Sequence, residues 1–272
     1  MVNIDIEKCT GCGKCVKDCF SGNIIIKDDK AQIVNTECML CGHCVAICPA
    51  AAAVIPEYDM ADVADIPDII EQNISPEGLL AFIKTRRSIR QYKDKSVAPE
   101  LIKQIIEAGR YTATASNRQE LTFIVVEKEM QKFRSLVIEN LSNLGREKLK
   151  ADDLSPLQKR YALWWMAIER SYKKNPEEKD VLFFNAPVVL LVAGDHQIDA
   201  GLAASNMELV ACANKLGVLY SGFIAGGCGS EKVKNAFSVP PEKEVLIALL
   251  IGYPDVEYKR TAPRKVADTV WL

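Results

Sequence analysis

Beyond residue 95 the apolar positions of this chain switch repeatedly between two periods. Residues 99–109 carry Leu101, Ile102, Ile105, Ile106 and Ala108 at helical spacing, which predicts a helix with one apolar face. Residues 122–126, 187–193 and 245–251 are short apolar or β-branched runs of the kind that form buried strands. Between them lie long amphipathic stretches at residues 128–149 and 156–174. Residues 198–216 are apolar around most of a helical circumference, so this helix needs burial on both sides, at a domain centre or a subunit interface. Gly217 is expected to cap its C-terminus. The pattern predicts an α+β domain with helices around a mostly antiparallel central sheet.

The first 56 residues read differently. Two short apolar stretches, Ile24 to Ile26 and Ala52 to Ile55, each follow a run of cysteines with the same spacing: Cys9, Cys12, Cys15 and Cys19, then Cys38, Cys41, Cys44 and Cys48. Eight of the ten cysteines lie in this internal repeat. Three thiolates on one tight loop can cap three irons of a cubane, while the fourth, slightly offset, points away. A zinc module has no use for the third and fourth cysteine of each run. A disulfide scaffold needs an oxidising compartment, and the opening residues carry no basic leader with an apolar core. The runs resemble those of bacterial two-cluster ferredoxins. That resemblance implies two 4Fe-4S clusters, one on Cys9, Cys12, Cys15 and Cys48, the other on Cys38, Cys41, Cys44 and Cys19. Pro49 follows the second run as the pattern expects, whereas Phe20 replaces proline after the first.

These features divide the chain into a ferredoxin-type domain at 1–56, an acidic linker at 57–78 and a larger domain at 79–272. Glu57 to Gly78 contains seven acidic residues and no basic one, with Pro67 inside it, and reads as an ordered or semi-ordered connection. Ser75 and Pro76 then supply an N-cap and a first helical residue. Lys plus Arg at 34 nearly balance Asp plus Glu at 36, which argues against a nucleic-acid partner. The apolar runs are too short to span a bilayer. Eight reduced thiolates without a leader indicate a cytoplasmic protein with low oxygen exposure.

Charge is concentrated between Lys84 and Lys95, where six residues are basic and one is acidic. Within it, RRSIRQY sets Arg86, Arg87, Ser88 and Arg90 close enough to converge on one phosphate: guanidinium groups bind its oxygens bidentately and the serine adds a directional donor. Alone, the string could equally be a solvated basic surface. Followed by PELIKQIIEAGRY and TATASNRQELTFIVV, it resembles the opening of the nitroreductase-like flavoproteins, over about residues 80 to 272. The resemblance implies a homodimer with FMN at the subunit interface. Arg86, Arg87, Ser88 and Arg90 would then lie on the phosphate and ribityl side, and Ala115, Asn117 and Gln119 would form a turn reaching the flavin of the other subunit. Ser221 and Gly222 match a loop facing flavin N5, and Arg264 and Lys265 a C-terminal basic pair on the phosphate. Two departures stand out. Ser221 occupies a place where many larger members carry glutamate, and residues 181–184 offer no counterpart to a lysine at the pyrimidine edge, leaving Arg118 as the nearest cation to suggest.

The other candidates are plainer. His43 and His196 lack zinc-hydrolase spacing. Residues 226–230 lack the third glycine of a dinucleotide fingerprint and read as a flexible turn, so nicotinamide would have to stack on the flavin. Cys212 reads as a small core residue, and Trp164 and Trp165 as packing on an amphipathic helix or, as the alternative, the lining of a substrate channel. Together these features predict an FMN- and iron-sulfur-dependent oxidoreductase. Single electrons would reach FMN from the clusters, supplied by an external ferredoxin or flavodoxin, or would come from NAD(P)H, and a nitro compound, quinone or enone would be reduced. The alternatives are a non-catalytic redox carrier or sensor and an iron-sulfur protein that binds nucleic acid.

Overall fold

The computed structural model describes residues 1–34, 38–66, 74–176 and 180–272. They form two compact units: Met1–Ser75 with Thr114–Arg118, and Pro76–Ala113 with Gln119–Leu272. Residues 67–73 of the proposed acidic linker lie outside the described residues. Its described start carries a short 3-10 turn, Met60–Asp62, capped by Asp59, whose Oδ1 accepts from Ala61 N at 2.9 Å.

The first unit is a small pseudo-symmetric fold. Strands β1 (Asn3–Ile4) and β4 (Ala53–Val54) pair antiparallel, as do β2 (Ile24–Lys27) and β3 (Lys30–Ile33). Helices α1 (Lys14–Asp18) and α2 (His43–Ala46) each begin inside a cysteine run. Their N-caps, Gly13 and Gly42, have φ of 70° and 75°, a left-handed conformation that glycine adopts without a Cβ penalty. The same turn is therefore built twice, once per run. Val2, Ile24, Ala31, Ala52, Ala53 and Ile55 form the apolar core together with buried Cys9 and Cys44.

In the second unit a four-stranded antiparallel sheet, in the order β5 (Thr122–Val126), β6 (Val188–Gly194), β8 (Glu244–Gly252), β7 (Gly217–Tyr220), is covered on both faces. Alternation sorts the strand residues. Val189, Leu191 and Leu250 face α5 (Met130–Lys148) and α6 (Pro156–Lys174), with Phe133, Val137, Leu141 and Ile168 as partners. Val188, Leu190, Val192 and Ile251 face α4 (Pro99–Arg110) and α7 (Gln197–Ala213), against Ile102, Ile105, Ala204 and Met207. Every residue of β6 is buried, as its unbroken apolar run requires. The helix α3 (Pro76–Thr85) opens this unit and buries none of its residues. Two short helices, α8 (Gly222–Gly227) and α9 (Glu231–Ala236), follow β7. The expected α+β architecture with an antiparallel sheet is what the chain forms.

Two local expectations are corrected. Gly217 does not cap α7. Asn214 is the C-cap, Lys215 takes the left-handed position at φ 61°, and Leu216 N and Lys215 N bond back to Ala211 O and Cys212 O, the paired closure of a Schellman motif. Gly217 instead starts β7, where a Cβ would lie 2.4 Å from Ile89 Cγ1. Nor do residues 226–230 form a turn throughout: Gly226 and Gly227 end α8, where a Cβ on Gly227 would meet Val137 at 2.6 Å, and the turn begins only at Cys228, which is fully buried. Gly227 serves close packing of α8 on α5.

Candidate cofactor sites

In the first unit the two cysteine runs interleave. One cavity is lined by Cys9, Cys12, Cys15 and Cys48, and a second by Cys38, Cys41, Cys44 and Cys19. Each set thus draws three thiols from one run and the fourth from the other. Backbone amides address the sulfurs: Ala31 N to Cys9 and Ala52 N to Cys48 at 3.3 Å in one set, Asn23 N to Cys19 at 3.3 Å and Leu40 N to Cys38 at 3.4 Å in the other. Such N–H···S bonds stabilise thiolate over thiol and tune a bound cluster. Burial, and after it the neighbouring Cys41 and Cys38, push the Cys44 thiol up to about 11, so holding it as thiolate needs the positive charge of bound iron. Four sulfurs around an apolar cavity, with amide donors already aimed at them, fit a 4Fe-4S cluster in each set. His43 opens α2 and lines the second cavity. Phe20, standing where proline was expected, is exposed beside it.

The turn Ala115–Asn117 belongs to this unit. Ser116 and Asn117 have φ of 52° and 54°, and the Asn117 side-chain amide donates to Leu40 O at 2.9 Å and Met39 O at 3.3 Å. It therefore braces the loop between Cys38 and Cys41. Arg118 N closes the turn onto Ala115 O, and Gln119, just beyond it, has φ of 52°.

In the second unit the arginine element is stitched to the sheet edge. Ser88 bridges Val218 in parallel, Ile89 N donates to Val218 O at 3.0 Å, and Lys93 N donates to Tyr253 O at 2.8 Å. The Tyr92 hydroxyl, its ionisation driven up by burial, donates towards Ile89 O and Leu250 O. The three arginine side chains diverge in role. Arg90 lines a cavity of about 490 Å³, Arg87 stacks over Tyr258 at 5.8 Å, and Arg86 pairs through Nη1 with Glu208 on α7. The Nε of Arg86 is buried with no hydrogen-bond partner among the described residues. That donor is left for an acceptor the protein does not supply.

The cavity is bounded on one side by Tyr220, Ser221, Gly222 and Phe223, and on the other by Val181, Leu182, Phe184 and Trp164. Its size and apolar walls with few polar groups suit an organic cofactor with its substrate. Ser221 caps α8, its Oγ accepting from Ile224 N at 3.3 Å, which accounts for a small hydroxyl residue there. Phe223 packs edge to face against Trp164 and Trp165 at 5.3 and 5.8 Å, so Trp165 is core packing while Trp164 also lines the cavity. Arg264 and Lys265 are exposed on the extended C-terminal segment, where Arg264 bonds to Pro263 O. Within a single chain they do not line this cavity.

Two important residues, Asp180 and Glu208, escaped the sequence reading. Asp180 is buried and accepts from the backbone N–H of Leu182, Phe183 and Asn185 at 3.1, 2.8 and 3.3 Å, while pairing with Arg134 at 2.5 Å. It shapes the Val181 to Asn185 wall. Glu208 had one signal, a carboxylate in an otherwise apolar helix, which demands a buried partner. His196 caps α7 and bonds Asp199 at 2.9 Å. Cys212 is half-buried, its thiol raised to about 11 by burial and then by Glu208.

Known proteins resemble both units. The nitroreductase family model matches residues 83–253, and a 4Fe-4S dicluster domain model matches residues 1–49. A Methanothermobacter thermautotrophicus protein, whose name pairs NADH dehydrogenase with NAD(P)H nitroreductase, is 25% identical over 195 residues, covering 68% of this chain and 82% of its own. An NADPH-dependent oxidoreductase of Staphylococcus haemolyticus is 25% identical over 189 residues, covering 67% and 68%. Among solved structures, a Bacteroides fragilis nitroreductase with bound FMN aligns at a TM-score of 0.55 and 19% identity, over 71% of this chain and 97% of its own. No helix among the described residues is long and apolar enough to cross a membrane.

Proposed function

Since the chain belongs to the nitroreductase family and carries a 4Fe-4S dicluster domain ahead of it, we propose that it is an FMN-dependent oxidoreductase whose flavin receives single electrons from two 4Fe-4S clusters. The observation that carries this reading is the interleaving of eight cysteines around two cavities in a chain whose arginine element also places Arg90 on a flavin-sized cavity and leaves the buried Nε of Arg86 without a partner. Arg86 and Ser88 would hold the phosphate, with Arg90 at the cavity wall and the backbone at Ser221 and Gly222 along the isoalloxazine edge. Bound FMN would supply the conversion of one-electron input into two-electron reduction of a nitro compound, quinone or enone. Trp164, Phe184 and Phe223 would offer aromatic faces to such an acceptor, and no side-chain nucleophile is required.

A homodimer fits the apolar surface left on one chain. Ile198 and Leu202 on α7 are 67% and 49% exposed, as are Leu79 and Leu80 on α3 at 43% and 51%. The partner would cover these residues and bring its C-terminal Arg264 and Lys265 within reach of a phosphate. The electron donor would be a low-potential ferredoxin or flavodoxin, or NAD(P)H acting at the flavin.

The test is anaerobic purification followed by iron and flavin analysis and rapid-mixing absorbance. About eight irons and one FMN per chain are expected. Cys41→Ser with Cys44→Ser should abolish flavin reduction by a one-electron donor while sparing photochemical reduction. Stoichiometric zinc would overturn the cluster assignment, and equally fast flavin reduction without that cluster would overturn the electron route. Flavin reduction with no turnover of any electrophile would leave an electron carrier instead of an enzyme.

A further inference from the structure

We infer that Glu208 is a positioning residue for the cofactor phosphate: it grips one end of Arg86 so that the opposite edge of the guanidinium faces the flavin site. The inference rests on the reading of Arg86 as a phosphate ligand. Glu208 lies on α7, is only 8% exposed, and is 122 residues from its partner. Its Oε2 accepts from Arg86 Nη1, and behind burial the same carboxylate helps to drive up the ionisation of Tyr220. Tyr220 lines the cavity immediately before Ser221. A buried carboxylate on α7 therefore holds the arginine element and acts electrostatically on a residue of the cavity wall.

The geometry of arginine explains why this matters. Its five donors lie in one plane on a rigid fork, so fixing one nitrogen and the plane fixes the direction of the rest. With Nη1 committed to Glu208, the donors left for a bidentate acceptor are Nε and Nη2, and Nε is the buried atom without a partner. A dianionic phosphate on that edge would complete the guanidinium between two anions. Without Glu208, Arg86 would regain rotamer freedom and part of its affinity for phosphate would go into ordering it. Glu208 also offsets the charge of Arg86 before the phosphate arrives, since an uncompensated buried cation is costly. The shift of Cys212, one turn further along α7, arises partly from the same carboxylate.

The test compares FMN with riboflavin, which shares the ring and ribityl chain and lacks the phosphate. Full-length, cluster-loaded protein stripped of flavin is titrated anaerobically by flavin fluorescence. Glu208→Met keeps the side-chain volume and removes the acceptor. It should weaken FMN binding about tenfold, the scale of one lost charge-assisted contact, and leave riboflavin binding unchanged. Glu208→Gln retains an acceptor for Nη1 and should recover most of the loss. Arg86→Ala should weaken FMN by at least as much, and adding Glu208→Met to it should cost nothing further. If Arg86→Ala leaves FMN affinity intact, the phosphate reading of Arg86 fails. If Arg86→Ala weakens FMN while Glu208→Met does not, or while Glu208→Met tightens it, the positioning role alone is overturned. Equal losses for FMN and riboflavin would likewise reduce Glu208 to a structural residue. Should Glu208→Met not fold, Glu208→Gln decides: FMN bound more tightly than by the parent means that the carboxylate competes with the phosphate, and near-parental affinity for both flavins means that orientation is retained.

Discussion

Replacing Asp180 by alanine should cost the second unit about 3–5 kcal/mol, the range for removing one partner of a buried ion pair. The magnitude follows from what the carboxylate touches. Asp180 and Arg134 side chains are 3% and 10% exposed and meet at 2.5 Å, so the substitution strands a guanidinium where water reaches it poorly. Three backbone N–H groups, of Leu182, Phe183 and Asn185, lose their acceptor at the same time. The segment they hold includes Phe184 and Asn185 at φ of 56° and 55°, a conformation that non-glycine residues keep only when their surroundings enforce it. Relaxation there would move Val181, Leu182 and Phe184 on the cavity wall, so weaker flavin retention should accompany the loss of stability.

Two of the three tryptophans, Trp164 and Trp165, lie on α6 in the second unit, which makes urea unfolding followed by tryptophan fluorescence a suitable assay. A fall in midpoint temperature of about 10 °C is expected in parallel for a unit of this size. A double-mutant cycle separates charge from cavity: Arg134→Leu with Asp180→Ala removes both charges, and should be more stable than the sum of the single losses by about 2 kcal/mol or more. A single-mutant loss below about 1 kcal/mol, or strict additivity, would refute the account of Asp180 as a buried clamp.

Cys19→Ala should remove about four irons and the spectroscopic signature of the set completed by Cys38, Cys41 and Cys44, although Cys19 belongs to the first run; loss of the other signature on metal analysis and electron paramagnetic resonance would refute the interleaved assignment. Glu169 is held down to about 2, because hydrogen bonds from Lys173, Ser142 and Arg146 outweigh the burial that opposes its charge. Its folded value lies below the ordinary 4.5, so its stabilisation is complete above that pH and fades as pH falls towards 2. With Arg146 and Lys173 45% and 70% exposed, solvent screening limits this to about 1–2 kcal/mol, and Glu169→Gln should flatten the acid limb of a urea-midpoint profile between about pH 5 and 3. Gly217→Val would press a Cβ against Ile89, costing about 1–3 kcal/mol, and should displace the arginine element enough to lower flavin content in the purified protein; normal content would show that the element tolerates movement of β7.

What the sequence discloses depends on how local each feature is. Helix α6 begins at Pro156 as its pattern predicts, because Ser155, Pro156 and Gln158 form a complete capping box: Gln158 N donates to Ser155 Oγ at 3.3 Å and Ser155 N to Gln158 Oε1 at 2.9 Å. Strand β5 spans the predicted residues 122–126, because its apolar run has clear ends. Gly217 misled because glycine after a helix usually signals a left-handed cap, whereas here Lys215 bears that conformation and the missing side chain admits Ile89 from 128 positions earlier. Gly227 misled for the same reason, since its missing side chain admits Val137. Composition cannot distinguish a glycine kept for flexibility from one kept for contact.

The two candidate sites differ in the same way. Three of the four thiols in each set come from a single run, so spacing alone announces a cluster, but the crossing of Cys19 and Cys48 is a tertiary fact that only resemblance to ferredoxins supplied. In the second unit the arginines are contiguous and readable, while the acids that direct the site are not: Glu208 lies 122 residues from Arg86, and Asp180 lies 46 residues from Arg134. Cations that await an anionic ligand can cluster in sequence because the ligand draws them together. A buried carboxylate that orients one of them must approach from a different element, since a neighbour on the same strand or turn would compete for the edge that faces the ligand. Polar residues isolated within apolar helices, as Glu208 is within α7, are therefore where the unseen half of such a site should be sought.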